Sequence, residues 1–148
     1  MADPLSVAGL TAGLVSLGLQ VSGGIRQYID ALDCREKDIA SARQQNDSLH
    51  KTLQVIEASL VQLRRDHHAA TAAVQACLDS CQTELKGLQE LVAELATPNR
   101  PVIDRRSKIK SRGKKLLYPF DRPKLQQLET RLRNANATLQ LALQALGL

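Results

Sequence analysis

The chain contains no tryptophan, one phenylalanine (Phe120) and two tyrosines (Tyr28 and Tyr118) in 148 residues. Sheets favour aromatic and β-branched side chains, so this core has to be built from Leu, Ile, Val and Ala, the residues of helix-on-helix packing. No segment alternates apolar and polar residues over the length of a strand, which leaves a sheet without support. Cysteine is scarce. Cys34, Cys77 and Cys81 are too few and too unevenly spaced for a disulfide framework, which points to a reducing intracellular setting. The start of the chain has Asp3 where a secretory signal would have basic residues, so the expected location is cytoplasmic.

Catalytic motifs are missing as well. Gly113-Lys114 lacks both the earlier Gly and the following Ser/Thr of a phosphate-binding loop. There is no Ser/His/Asp signature, nucleophile elbow or paired-carboxylate motif. Cys77 and Cys81 lie one helical turn apart but have no two further ligands at metal-binding spacing, so they read as core thiols. His67-His68 beside Asp66 reads as a surface turn. The sequence therefore predicts neither an enzyme nor a metal or cofactor site.

Helical periodicity is abundant. Asp3-Pro4 suits a helix start, an N-cap acid followed by proline in the first turn. Val7, Leu10, Leu14, Leu17 and Val21 then recur at spacings of three and four. Gly23-Gly24 predicts a kink or break before Ile25, Ile29 and Leu32. A second pattern, about 33–65, carries Ile39, Ala42, Asn46, Leu49, Leu53, Ile56, Leu60 and Leu63. A third, about 69–96, carries Val74, Leu78, Cys81, Leu85, Leu88, Val92 and Leu95; a fourth, about 122–146, carries Leu125, Leu128, Leu132, Ala135, Leu139, Ala142 and Leu146. Thr97-Pro98-Asn99-Arg100-Pro101 ends the third, and Asp121 with Pro123 starts the fourth. The expected architecture is all-α: one domain, residues 1–148, folded as an up-down bundle of four to five helices with a long basic connection (98–121) before the last. Short turns predict antiparallel neighbours. The predicted inward set is Leu53, Ile56, Leu60, Leu85, Leu88, Val92, Leu128, Leu132 and Leu139.

Charge is unevenly spread. The formal net charge is +5, but residues 100–124 hold ten Lys/Arg against Asp104 and Asp121, which is +8 and leaves the rest at −3. Arg105, Arg106, Lys108, Lys110, Arg112, Lys114 and Lys115 form the densest run. Such a cluster suits anionic lipid head groups at about 1 kcal/mol per charge, or equally a solvated loop. Specific nucleic-acid binding ranks lower, because no aromatics interleave the charges and no recognition motif accompanies them. Conversely, residues 4–25 contain no charge, and as a helix at about 1.5 Å per residue they span roughly 33 Å, near the thickness of a bilayer core. Leu5, Val7, Gly9, Leu10, Gly13, Leu14, Leu17 and Val21 form the candidate membrane-inserting set, with Gly9 and Gly13 at the small-residue spacing that lets helices approach in lipid. The alternative is a helix held permanently in the bundle centre, with glycine where neighbours crowd.

Two segments carry a family resemblance. The opening Met1-Ala2-Asp3-Pro4-Leu5-Ser6-Val7-Ala8-Gly9-Leu10 resembles the start of the fungal HeLo-like N-terminal domains of NOD-like (STAND, NACHT-type) receptors. Lys115-Leu116-Leu117-Tyr118-Pro119-Phe120, followed by a Leu-rich helix ending Leu139-Gln140-Leu141-Ala142-Leu143, is similar to that group's aromatic-Pro-hydrophobic turn and closing helix; Tyr118 stands where Trp is common. The resemblance implies a non-enzymatic effector or signalling domain, similar in architecture to the helical killer domain of the mixed-lineage kinase-like necroptosis protein. It implies homo-oligomerisation, recruitment to anionic lipid of the plasma membrane, and membrane permeabilisation. The biological context it implies is regulated cell death, as in innate immunity and heterokaryon incompatibility, with a downstream receptor domain or signalling protein as a further partner. The residues alone support a second reading, an adaptor that self-associates without membrane activity.

Overall fold

The computed structural model describes residues 7–33, 35–62, 72–96 and 118–148, with only the backbone of Val7, Tyr118 and Pro119. Four long helices dominate: α1 (Val7–Asp30), α2 (Glu36–Ala58), α3 (Ala72–Ala96) and α4 (Arg122–Leu146). Two-residue segments β1 (Leu32–Asp33) and β2 (Tyr118–Pro119) pair in parallel, Leu32 with Tyr118 and Asp33 with Pro119. This bridge is a tether between two connections and forms no layer, so the all-α expectation holds. Asp3-Pro4, Cys34, His67-His68 and any helix within 98–117 lie outside the described residues.

Each helix buries one stripe. Ile39, Ala42, Asn46, Leu49, Leu53 and Ile56 of α2 face inward, as do Leu125, Leu128, Leu132, Ala135, Leu139 and Ala142 of α4. In α3 the stripe is Leu78, Cys81, Leu85, Leu88 and Leu91. Asp121 caps α4, accepting the Lys124 backbone N–H at 3.4 Å, and Gly147 at φ 75° closes it in the left-handed conformation that glycine adopts without strain. Seven of the nine predicted inward residues are buried. Leu60 is half-buried, because regular α2 stops at Ala58 and Ser59 turns the chain. Val92 is also half-buried: Leu91 takes the buried position, and Val92 packs at the margin.

Two expectations need correcting. Gly23-Gly24 does not interrupt α1, which runs unbroken to Asp30. Val21, Ser22, Ile25, Tyr28 and Ile29 are buried on one face across the pair. That packing outweighs a helix penalty of about 1 kcal/mol per glycine. Nor are all sequential helices neighbours. α1 packs on α2 and α3, and α4 packs on the same two, so α2 and α3 face each other across a diagonal. Among the described helices, only the α1–α2 and α3–α4 pairs are both consecutive and adjacent.

Helix directions follow from the contacts. α2 and α4 leave the parallel bridge together. Ser22 meets Asn46 while Asp30 meets Arg43, so α1 is antiparallel to α2. Cys81 meets Thr138 while Gly87 faces Arg131, so α3 is antiparallel to α4. One pole, the bridge pole, therefore holds the α1–α2 joint, the end of α3 and the start of α4. The far pole holds the start of α1, the start of α3 and the ends of α2 and α4.

α1 and α2 come close at Gly18. A Cβ placed on Gly18 would lie 2.6 Å from Leu53 Cδ2, and Leu53 is fully buried with nowhere to retreat. A Cβ on Gly13 would meet nothing within 4 Å. Gly13→Ala is therefore expected to stabilise the protein by about 0.5–1 kcal/mol through helix propensity. Gly18→Ala is expected to destabilise it by about 1 kcal/mol, as overpacking exceeds the same gain. Thermal melts of the two proteins should move in opposite directions; a matched rise would show that α1 and α2 are not in close contact at Gly18.

Candidate functional site

The candidate site is α1 with the surfaces that hold it. Ala8–Asp30 is long and apolar enough to cross a membrane, a property that the core helix of a soluble bundle can share. Among the predicted insertion residues, Leu14 and Val21 are buried, Leu10 and Leu17 are half-buried, and Gly9 and Gly13 are exposed. The Gly9–Gly13 pair thus lies on the outer face, and the glycine that meets a crowding neighbour is Gly18. Leu5 and the Val7 side chain lie outside the described residues, as do Arg105, Arg106, Lys108, Lys110, Arg112, Lys114 and Lys115. The residues that flank this basic connection, Ala96 and Tyr118, both belong to the bridge pole.

The inner face of α1 is less apolar than its leucines suggest. It runs through Thr11, Gly18, Ser22, Ile25 and Ile29. Thr11, Ser22 and Asn46 are the buried polar residues among those described, and all three lie at the α1 interface. Ser22 Oγ donates to Asn46 Oδ1 at 3.2 Å, and Asn46 Nδ2 donates to the Ser22 carbonyl at 3.1 Å. That pair sets the register of α1 on α2. Thr11 is 0% exposed, and its hydroxyl has no hydrogen-bond partner. An unpartnered buried hydroxyl costs about 1–3 kcal/mol, so α1 is seated with a built-in penalty.

The joint at the bridge pole is held by ion pairs. Arg43 donates to Asp30 Oδ1 at 2.6 Å and approaches Glu36 Oε1 at 2.9 Å, joining the end of α1 to the start of α2. The hydrogen bond to Asp30 chiefly raises the Arg43 guanidinium above its ordinary range. Arg122 approaches Asp38 at 3.5 Å and lies over the Phe120 ring at 5.5 Å, fastening the start of α4 to the same pole. The far pole is the opposite. Among the described residues, α1 up to Ile25, residues 52–62 at and just beyond the end of α2, 72–78 of α3 and 134–148 at and just beyond the end of α4 carry one charge, Glu57. Sequence reading found the charge-free first helix but not this pole, because its four parts are scattered along the chain.

No group of three or more His, Cys, Asp or Glu among the described residues could hold a metal ion. Cys81 is 1% exposed and donates its S–H to the Thr138 carbonyl at 3.4 Å. Burial, then the neighbouring Cys77 and Glu84, push its thiol up from 9.0 to about 12. A neutral thiol is a poor nucleophile.

No family model matches the chain, and no solved structure matches it. One curated relative, azaphilone pigments biosynthesis cluster protein L of Monascus ruber, is 28% identical over 135 residues, 89% of this chain. The chain spans 28% of the length of that protein.

Three measurements follow from these contacts. Thr11→Val, which removes the orphaned hydroxyl at nearly constant volume, is expected to add about 1 kcal/mol, a rise of roughly 2–4 °C in Tm. Asn46→Ala should cost about 1–3 kcal/mol by stranding its buried partners; an unaffected Tm in both proteins would mean that α1 is not seated on these groups. Alkylation of the native protein at pH 8, mapped by mass spectrometry, should modify half-buried Cys77 well before Cys81. Because the folded Cys81 pKa lies above the unfolded one, the unfolded chain ionises first. The stabilising contribution of this thiol is complete below pH 9.0 and falls as pH rises towards about 12. Cys81→Ala should flatten that slope; equal labelling of the two thiols would contradict the burial of Cys81.

Proposed function

We propose that the chain is a helical effector and signalling module that self-associates and targets anionic membranes through α1 and the basic segment 105–115, as the resemblance to fungal HeLo-like receptor domains implies. The observation that carries the reading is the character of α1. It is the described helix long and apolar enough to span a bilayer, and the bundle holds it against buried polar groups, one of them unpartnered. On this reading such a helix has two homes, the bundle and the bilayer, and activation shifts it from the first to the second.

The bundle's layout supports the same reading. If α1 swings out about the joint at 31–35, its trailing end stays at the bridge pole, whose residues also flank the basic connection. Helix and basic cluster then meet one lipid surface. On this reading the protein is cytoplasmic at rest, moves to the plasma membrane when activated, permeabilises it and triggers regulated cell death. The name of the Monascus ruber relative bears on none of this.

The adaptor reading keeps a specific point in its favour: Leu14, Ile25 and Ile29 are nearly fully buried, so α1 is also part of the core. Dye leakage from acidic liposomes, with circular dichroism on the same samples, separates the two. Wild-type protein should leak dye, and less so in high salt. Reversing Arg105, Arg106, Lys108 and Lys110 to Glu should abolish binding with helicity intact. Gly13→Glu sits at an exposed position and leaves the fold in place. It should add about 2.5–3.5 kcal/mol to insertion and cut leakage on the order of a hundredfold. Thr11→Val should lower leakage by seating α1 more firmly. If folded Gly13→Glu protein leaks as well as wild type, or wild type never leaks even when oligomeric, the membrane mechanism fails and the adaptor takes its place.

A further inference from the structure

α3 opens on a lightly buried stretch. None of the residues from Ala72 to Cys77 is buried, and Leu78 is the first that is. Two thiols straddle this transition. Cys77 is half-buried, and Cys81, one turn further on, is 1% exposed in the core. The two lie close enough for the charge of one to weigh on the other. Cys81 also links two helices, because its S–H donates to the Thr138 carbonyl of α4 at 3.4 Å. One face of α3 thus carries a thiol that solvent reaches and a thiol that fastens α3 to α4.

Helical geometry keeps the two sulfurs apart. Side chains four residues apart on a helix have Cβ atoms about 5–6 Å from each other, whereas a disulfide needs about 3.5–4.5 Å. The sulfurs can bond only if the turn between them leaves α-helical geometry, and the Cys81 sulfur then leaves Thr138. Backbone near the end of an element, with few buried contacts, opens at low cost. Residues 72–77 answer to that description. Beyond Cys81, Glu84 has a buried carboxylate oxygen with no hydrogen-bond partner, and its charge disfavours a thiolate at Cys81. Cys81 is therefore inert while α3 is closed, and Cys77 is the thiol an oxidant meets first.

We infer that Cys77 and Cys81 form a hydroperoxide-responsive thiol pair, whose oxidation to an intrahelical disulfide detaches the first turns of α3 from α4. In the first step the Cys77 sulfur attacks the peroxide and takes one oxygen. The O–O bond breaks, hydrogen peroxide is reduced to water, and Cys77 becomes a sulfenic acid. In the second, α3 opens locally and the Cys81 sulfur attacks Cys77. The S–S bond forms, the Cys77 S–O bond breaks, and the hydroxyl leaves as water with the Cys81 proton. A dithiol reductant returns two electrons and two protons and restores the helix. Disulfides in reducing compartments are usually transient, catalytic or redox-sensing, a use that suits a pair whose closed helix favours the reduced form. The inference concerns α3 and α4 and does not rest on the membrane reading.

The test treats the full chain with hydrogen peroxide, with and without the sulfenic-acid trap dimedone. Cys34→Ser is the parent protein, so that only the thiol pair responds. Mass spectrometry should find dimedone on Cys77. Without the trap it should find the loss of two hydrogens in a peptide that holds both thiols, with the chain monomeric on a non-reducing gel. Amide exchange across residues 72–81 should rise about tenfold on oxidation and recover with dithiothreitol, while α2 keeps its protection. Cys81→Ala should accumulate the Cys77 sulfenic acid. Cys77→Ser, a change at a half-buried position, should leave Cys81 unoxidised and exchange unaltered. The inference is overturned by a parent protein that peroxide leaves unchanged, by dimedone on Cys81 before Cys77, or by a disulfide between two chains. A disulfide that leaves exchange across 72–81 unaltered overturns it equally. All four outcomes are read on the parent protein, so they decide the matter even where Cys81→Ala fails to fold.

Discussion

The bundle depends on how closely α1 can lie against α2, and that distance is fixed at one point, where Gly18 faces Leu53. A side chain at Gly18 would meet the Leu53 methyl groups, which must shift to admit it, and the Ser22–Asn46 pair, with hydrogen bonds of 3.1–3.2 Å, lies one turn further along the same contact. Those bonds in turn fix which residues of α1 face inward. Thr11, Gly18 and Ser22 lie on this inner face beside Leu14, Val15, Val21, Ile25 and Ile29, so the small residues set the register and the large ones supply the hydrophobic burial. The far side of the same helix exposes glycine, serine and glutamine to the solvent.

The architecture was readable because three of the helices state their faces plainly. In α4 every residue of the predicted stripe except Leu146 is buried, and the boundaries expected from Asp121 and the closing Leu-rich run coincide with those observed. The first helix misled in a specific way. Its apolar residues mark a stripe through Leu10, Leu14, Leu17 and Val21, but Leu10 and Leu17 are half-buried, whereas Thr11, Val15, Gly18 and Ser22 are buried. Hydrophobicity finds a core face only when the face is built from hydrophobic residues. Where close approach sets the packing, small and polar residues occupy it, and the stripe read from leucines is rotated away. The predicted break at Gly23-Gly24 failed for a related reason: local propensity was counted, and the neighbours that override it were not visible.

Adjacency was the other gap. A short connection between two helices says that their ends are near, not that their flanks touch. α2 and α3 are consecutive yet lie across the diagonal. What decides the matter is the parallel bridge of Leu32–Asp33 with Tyr118–Pro119, which binds the start of α2 to the start of α4 and so makes those two neighbours. The bridge joins residues far apart in sequence and too few to leave a strand signature. Phe120 and Arg122 beside it, with Arg122 reaching Asp38, show why the aromatic-Pro-hydrophobic turn matters physically: it fastens the last helix to the joint of the first two.

The division of charge between the poles follows from the same topology. Each helix is charge-poor at the end that the bundle collects at the far pole: the start of α1, the end of α2, the start of α3 and the end of α4. In sequence these stretches are scattered; in the fold the described residues at that end carry only Glu57, while the ion pairs of Arg43 and Arg122 secure the other. A bundle with ion pairs at one pole and few charges among the described residues of the other has a built-in direction for change. The joint at 31–35 resists separation at the bridge pole, so any opening of α1 begins at its N-terminal end, where Thr11 contributes a buried hydroxyl and no bond.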